Sequence, residues 1–411
     1  MAVTQIVNPQ LYASAFNEMV FTASSTNSGQ DNFKYLVDIY INGAVTYEVR
    51  LRIPAEPDNA YAIVDVHRVL EAYLSSNLGD NTGVVATTGN DASILTYQIK
   101  WGESYGTTVV DYADLTIDSL RYAWNGARNY PSFIDQGYLN WMLDDSSAKF
   151  LTNAPLTTEL STTDSGWLYF LHTGSPAIQT FEIKTYDAKD AGGSLIGTWA
   201  LKHTLTFATT DEYLGKVTSA PISITALPNT EFSTGVQPVF AGTELSYTIQ
   251  ALDSGSSAIS ELRVFNLVDA CKYPRQTVHF LNELGGFDVK GFNLARTDSY
   301  EITKEFYHKT PTRITSLGNY PYSLEDRQKT QYYTKSAPKV KLISDWISEE
   351  ESIWLRELVE SPTIYIEDDN NDFIACHITT ASYDIKTEVK DKLFNLEIEL
   401  ELSYNNYRQR G

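Results

Sequence analysis

Between Ser344 and Tyr404 the spacing of apolar side chains changes period once, and the change separates a helix from the strands after it. Trp354, Leu355, Leu358 and Val359 recur at i, i+1, i+4 and i+5, one stripe of a helix. Ser348 and Glu351 form a capping box: the hydroxyl takes an orphan amide of the first turn and the glutamate reaches back to the cap. Glu349, Glu350 and Glu351 also sit at the positive end of the helix dipole. Pro362 biases Ser361 toward extended backbone, so the pattern predicts a helix over 348–360. Beyond it the period falls to 2. Leu396, Ile398, Leu400, Leu402 and Tyr404 alternate with Glu397, Glu399, Glu401 and Ser403, which predicts a half-buried strand with its glutamates in water.

The same alternation organises the rest of the chain. Residues 1–128 read as a β-sandwich-like domain with one short helix. Leu36–Ile41 and Val45–Ile53 are predicted as strands joined at Asn42-Gly43, a dipeptide that tolerates positive φ. Asp65 is placed to cap a helix whose apolar face is Val66, Val69, Leu70, Tyr73 and Leu74. Residues 129–155 carry aromatics without a period and are treated as a packed connector. Residues 156–268 show strands at intervals set by turn-forming stretches, the rhythm of an immunoglobulin- or fibronectin-like sandwich. Residues 269–411 form a C-terminal β domain that contains the 348–360 helix. There Gly285-Gly286 follows the run Thr277–Leu284 and predicts a tight turn, because Phe287 and Val289 resume a strand-like period. The predicted class is all-β dominated: two or three Ig/fibronectin-like β-sandwich units with two short helices packed on sheets.

Composition narrows the function classes. An apolar content of 42% is enough to bury cores. The 27 tyrosines against 3 methionines suit strands and half-wet contact surfaces. Net charge is −21, with no basic stripe for a phosphate backbone, so no nucleic-acid partner is expected. Cys271 and Cys376 match neither a disulfide framework nor a zinc spacing and read as small buried hydrophobes. No window approaches the ~18 apolar residues of a membrane helix, and the first residues lack the basic and apolar regions of a secretory signal. Neither a membrane partner nor secretion is expected, and synthesis in a cytosol is.

Candidate chemistry is sparse. Gly215-Lys216 lacks the remainder of a phosphate loop, and no GxGxxG occurs. Asp368, Asn370 and Asp372 imitate the start of an EF-hand loop, but Phe373 and Thr379 stand where glycine and glutamate are required, so a solvated acidic turn is the better reading. The six histidines include no HxH or HxxxH, and His279 and His377 read as structural. No GxSxG is present, and neither cysteine has a protease context. No catalytic, cofactor or metal residues are therefore assigned. The candidate contact residues are aromatic: Tyr130, Phe133, Tyr138 and Trp141 in the connector, with Tyr320, Tyr322, Tyr332 and Tyr333 ahead of the last helix. Packing within the chain and contact with another protein both fit such residues, and a carbohydrate platform is a third use.

The run HFLNELGGFDVKGF, a strand ending EFYHK, SDWISEEESIWLRELVESPTIYIED and the closing alternating strand resemble virion structural proteins of tailed bacteriophages, of the type carried by Bacteroidetes phages. The stretch VDIYINGAVTYEVRLRIPAEPDNAYAIVDVHRVLEAYL is similar to the first domain of the same group. The resemblance implies a tail, tail-tip or baseplate component, made in host cytoplasm and resident in the virion. It would assemble as a homo-oligomer beside other virion proteins. A receptor- or glycan-binding tail module, with host-surface glycan as ligand, is the alternative reading, and a neck or capsid-associated protein is a second. The resemblance carries over no catalytic residues.

Overall fold

A computed structural model describes residues 3–76, 78, 93–131, 133, 139–162, 164–172, 178, 180–186, 188–189, 195–196, 199–204, 216–221, 245–268, 273–309, 328–368, 370, 372–379 and 394–408. The chain forms two compact units: Met1–Asp269 with Phe280–Lys290, and Ala270–His279 with Gly291–Gly411. The sequence boundaries at 128 and 155 both lie inside the first unit. The protein is all-β, with helix in short pieces such as His67–Glu71, Glu349–Trp354 and Arg356–Glu360.

The N-terminal part of the first unit packs two sheets face to face. One holds Val3–Val7, Val20–Ser25 and Ala62–Asp65. The other runs Tyr12–Ser14, Arg121–Trp124, Ile94–Tyr105, Lys34–Ile41 and Val49–Pro54, with Val110–Ile117 also paired to Ile94–Tyr105. Phe21, Ala23 and Val64 from the first sheet share one cluster with Tyr35, Val37, Ile39, Tyr97, Ile99 and Trp101 from the second. Each such large side chain contributes about 1.5–3 kcal/mol by leaving water. A partly buried polar chain fastens the N-terminal strand to this core. Trp101 Nε1 donates to Gln5 Oε1 at 3.0 Å, and Gln5 Nε2 donates to Asp118 Oδ1 at 3.0 Å. Asp118 then takes two bonds from the Arg121 guanidinium, at 2.6 and 3.2 Å, and Arg121 also donates to the Pro9 carbonyl at 2.7 Å.

One strand expectation is corrected. Asn42 and Gly43 do adopt positive φ, of 50° and 71°, but the ladder resumes only at Ile39 opposite Val49. Val45 is 95% exposed. Tyr47 leaves the pairing line, packing edge-on to Tyr40 and beneath the Arg50 guanidinium. The alternation persists through Val45 and Tyr47, but only Val49, Leu51 and Ile53 reach the core.

The middle part is a second sandwich. A five-stranded sheet runs Thr157–Leu160, Arg263–Leu267, Ser246–Leu252, Thr180–Tyr186 and Trp199–Thr204, and a two-stranded sheet pairs Trp167–His172 with Lys216–Pro221. Phe150, Leu168, Phe170, Phe181, Ile183, Tyr247, Ile249 and Phe265 fill one core. Ile222, Ile224 and Ala226 alternate as a further strand of this part would, and residues 222–226 lie outside the described residues.

In the second unit the sheet runs Ile364–Glu367, Phe373–Ile378, Phe394–Leu402, Lys329–Ile347 and Thr297–His308. Leu396, Ile398, Leu400 and Leu402 are buried, as the period-2 pattern requires. The capping box forms in full: the Glu351 amide donates to Ser348 Oγ at 3.2 Å, and the Ser348 amide donates to the Glu351 carboxylate at 3.1 Å. Leu355, with ψ of −5°, splits the expected single helix into two short ones, while Trp354, Leu355 and Leu358 remain buried. Ser348→Ala is expected to lower stability by ~1 kcal/mol, the loss of one cap, read as a shift of the urea midpoint at unchanged slope.

Candidate contact surfaces

The least covered element is the strand Thr297–His308, every residue of which is exposed. It ends the sheet: it pairs antiparallel with Lys329–Ile347, and among the described residues nothing pairs with its other edge. Tyr300 (61% exposed), Ile302 (56%) and Phe306 (45%) stand on it. Tyr300 and Asp298 lie opposite Pro338 and Val340, so they continue the face on which Val340 and Leu342 are buried. The opposite face is ionic. Lys339 Nζ lies 2.9 Å from Glu301 and 3.3 Å from Glu399, and holds Glu301 below the usual carboxylate range. Lys341 pairs with Glu397. Exposed pairs of this kind contribute little individually, and here they keep one face of the sheet wet.

The candidate aromatics separate into distinct groups. Tyr332 is exposed, its hydroxyl donating to the Glu305 carboxylate and its ring 6.0 Å from that of Tyr307. That bond raises the Tyr332 phenol above its ordinary range. Tyr333 is half-buried, with its ring 6.0 Å from Tyr407. These residues flank Thr297–His308, and Tyr320 and Tyr322 lie outside the described residues. In the connector Tyr130 is exposed and Phe133 half-buried, while Tyr138 lies outside the described residues. Trp141 is a correction: it is 3% exposed, with the Arg128 guanidinium 4.4 Å from its ring centre. It holds the connector to its own chain and offers no outer surface.

The connector is fastened by the turn at Gly285-Gly286, which belongs to the same unit. Gly285 has φ of +85°, and a Cβ there would lie 2.2 Å from the Asn125 carbonyl oxygen. The buried Asn282 carboxamide accepts the amides of Leu284 and Gly286, both at 3.0 Å, and donates to the Leu151 carbonyl at 2.8 Å. The Glu283 carbonyl accepts the Ala127 amide at 2.7 Å, and its carboxylate accepts Asn153 Nδ2 at 2.7 Å. Sequence reading found the turn but not its target, because no local signal names the backbone it approaches.

The polar residues with candidate chemistry are engaged structurally. Asp368 Oδ1 accepts the amides of Asn370 and Asp372, each at 2.8 Å, which lowers its pKa and makes the acidic turn a self-capped one. His279 Nε2 lies 3.1 Å from the Glu367 carboxylate, with both residues buried. Burial pushes the Cys376 thiol up to about 12, so it stays protonated and unreactive at neutral pH. Glu261 is raised by its burial and Arg263 lowered by its own; they lie 3.3 Å apart, and Arg263 also donates to the Ala154 carbonyl. Among the described residues no group of three or more His, Cys, Asp or Glu side chains is placed to hold a metal ion, and no helix is long and apolar enough to cross a membrane. Cys271 lies outside the described residues.

No protein-family model matches the chain, and no curated protein matches it.

Proposed function

We propose that this chain is a structural component of a tailed-phage virion, in the tail, tail tip or baseplate, and that it works by assembling as a symmetric oligomer without a catalytic role. The observation that carries this reading is the strand Thr297–His308, exposed along its whole length, with one hydrogen-bonding edge open among the described residues and apolar side chains on a face that continues a buried one. An isolated chain gains nothing from such an edge, which templates unwanted pairing unless a partner covers it. The sequence resemblance to virion structural proteins supplies the setting. Neighbouring copies and other virion proteins are the proposed partners.

Quantitative mass spectrometry of purified particles from a host carrying the gene tests the assignment. The chain is expected in the particle at a fixed, multiple copy number. Its absence from particles, with the protein abundant in the lysate, would overturn the proposal. The exposed Tyr307–Tyr332 pair also fits a sugar-stacking surface. That second reading requires saturable binding of host-surface polysaccharide, lost on Tyr332→Ala.

A further inference from the structure

We propose that the strand Thr297–His308 pairs antiparallel with the same strand of a second copy of this chain, about a twofold axis normal to the sheet at Glu301. This deepens the assembly reading and rests on it, since it names the surface through which two copies meet.

Symmetry restricts the pairings available. A twofold normal to the sheet returns each face to itself, so residues opposite one another must have the same parity. The strand pairs regularly with its inner neighbour from Thr297 to Glu305, and the register shifts between Glu305 and Phe306. The shift places an extra residue, Tyr332, on the inner strand, so the bend that a bulge brings begins beyond Glu305, and the regular stretch Thr297–Glu305 has its midpoint at Glu301. Centring the pair there sets Asp298 opposite Lys304, Ser299 opposite Thr303, and Tyr300 opposite Ile302, each twice by symmetry.

The chemistry of these pairs matches. One residue in from each end Asp298, which also carries Arg296 at 2.7 Å, meets Lys304, and an aromatic meets a β-branched side chain on either side of the axis, the combinations that stabilise antiparallel neighbours. Tyr300 and Ile302, among the most exposed apolar residues of the unit, cover one another. Only Glu301 faces its own copy, and each Glu301 carries Lys339 at 2.9 Å to offset the repulsion. Moving the centre to Thr303 would oppose Glu301 to Glu305 twice, and Lys304 to Ile302. Lys304 in mid-strand would discourage indiscriminate edge pairing, while in the Glu301-centred register it meets Asp298. The occupant is thus a second copy of this chain rather than an arbitrary strand.

Cysteine cross-linking of the full chain tests the register. Opposed residues in an antiparallel ladder have Cα atoms about 4.5–5.5 Å apart, within reach of a disulfide. Glu301→Cys is expected to convert most of the chain to a covalent dimer under mild oxidation. Thr303→Cys, displaced from its own copy, is expected to give no more dimer than the wild type, which reports any contribution from Cys271 and Cys376. Ile302→Asp added to Glu301→Cys is expected to abolish the cross-link. Equal cross-linking at 301 and 303, or none at 301, would overturn the pairing. If the wild type still enters particles in that case, another surface joins the copies and the virion assignment survives.

Discussion

Replacing Gly285 with alanine is expected to destabilise the first unit by about 3 kcal/mol, combining left-handed backbone strain with overpacking. The φ of +85° already disfavours any L side chain, and the added Cβ would meet the Asn125 carbonyl oxygen at 2.2 Å. Neither the turn nor the connector backbone can yield freely. The turn is held by Asn282 from within, and Ala127 is bonded to the Glu283 carbonyl. Gly43→Ala is the matched control. Its φ is +71°, but nothing lies within 4 Å of the new Cβ, so only the strain of ~1 kcal/mol remains. Urea denaturation of both variants separates the two contributions. Equal losses would show that the close approach to Asn125 contributes nothing.

Asp118→Ala is expected to cost about 3–5 kcal/mol, because it leaves the buried Arg121 charge without its carboxylate. Both side chains are 6% exposed, and the same aspartate holds Gln5, which in turn satisfies the Trp101 indole. The effect should spread to the N-terminal strand. Hydrogen exchange of Val3–Val7 is expected to accelerate along with the fall in global stability. Replacing Asp118 and Arg121 together by leucine and methionine should recover much of the loss, since a buried pair contributes far less than breaking it costs. A double variant as unstable as the single would show that the Arg121 bond to Pro9 matters more than its bonds to Asp118.

Local signals were legible in the sequence, and long-range ones were not. Ser348 and Glu351 are three residues apart, so their reciprocal bonds follow from helix geometry alone. The Leu396–Leu402 alternation likewise names its buried face, because one side of a sheet must be dry. Gly285-Gly286 announced a turn, yet only the folded chain shows it pressed against Asn125 and Leu151. Trp141 looked like a contact residue because aromatics without a period carry no sign of which neighbour covers them. Tyr300 and Ile302 show the same limit from the other side. Their alternation resembles a half-buried strand, and whether a second layer covers them depends on residues far away in sequence. Among the described residues none does. The candidate surface is therefore half visible in the sequence: Tyr332 and Tyr333 stand out as aromatics ahead of the last helix, while nothing local marks the strand beside them as uncovered.

Sedimentation velocity of the purified full chain, across a dilution series from nanomolar to high micromolar, tests most directly whether this protein acts by joining copies of itself. A reversible transition to one discrete stoichiometry above the monomer is predicted. A single monomeric boundary at every concentration would contradict the account.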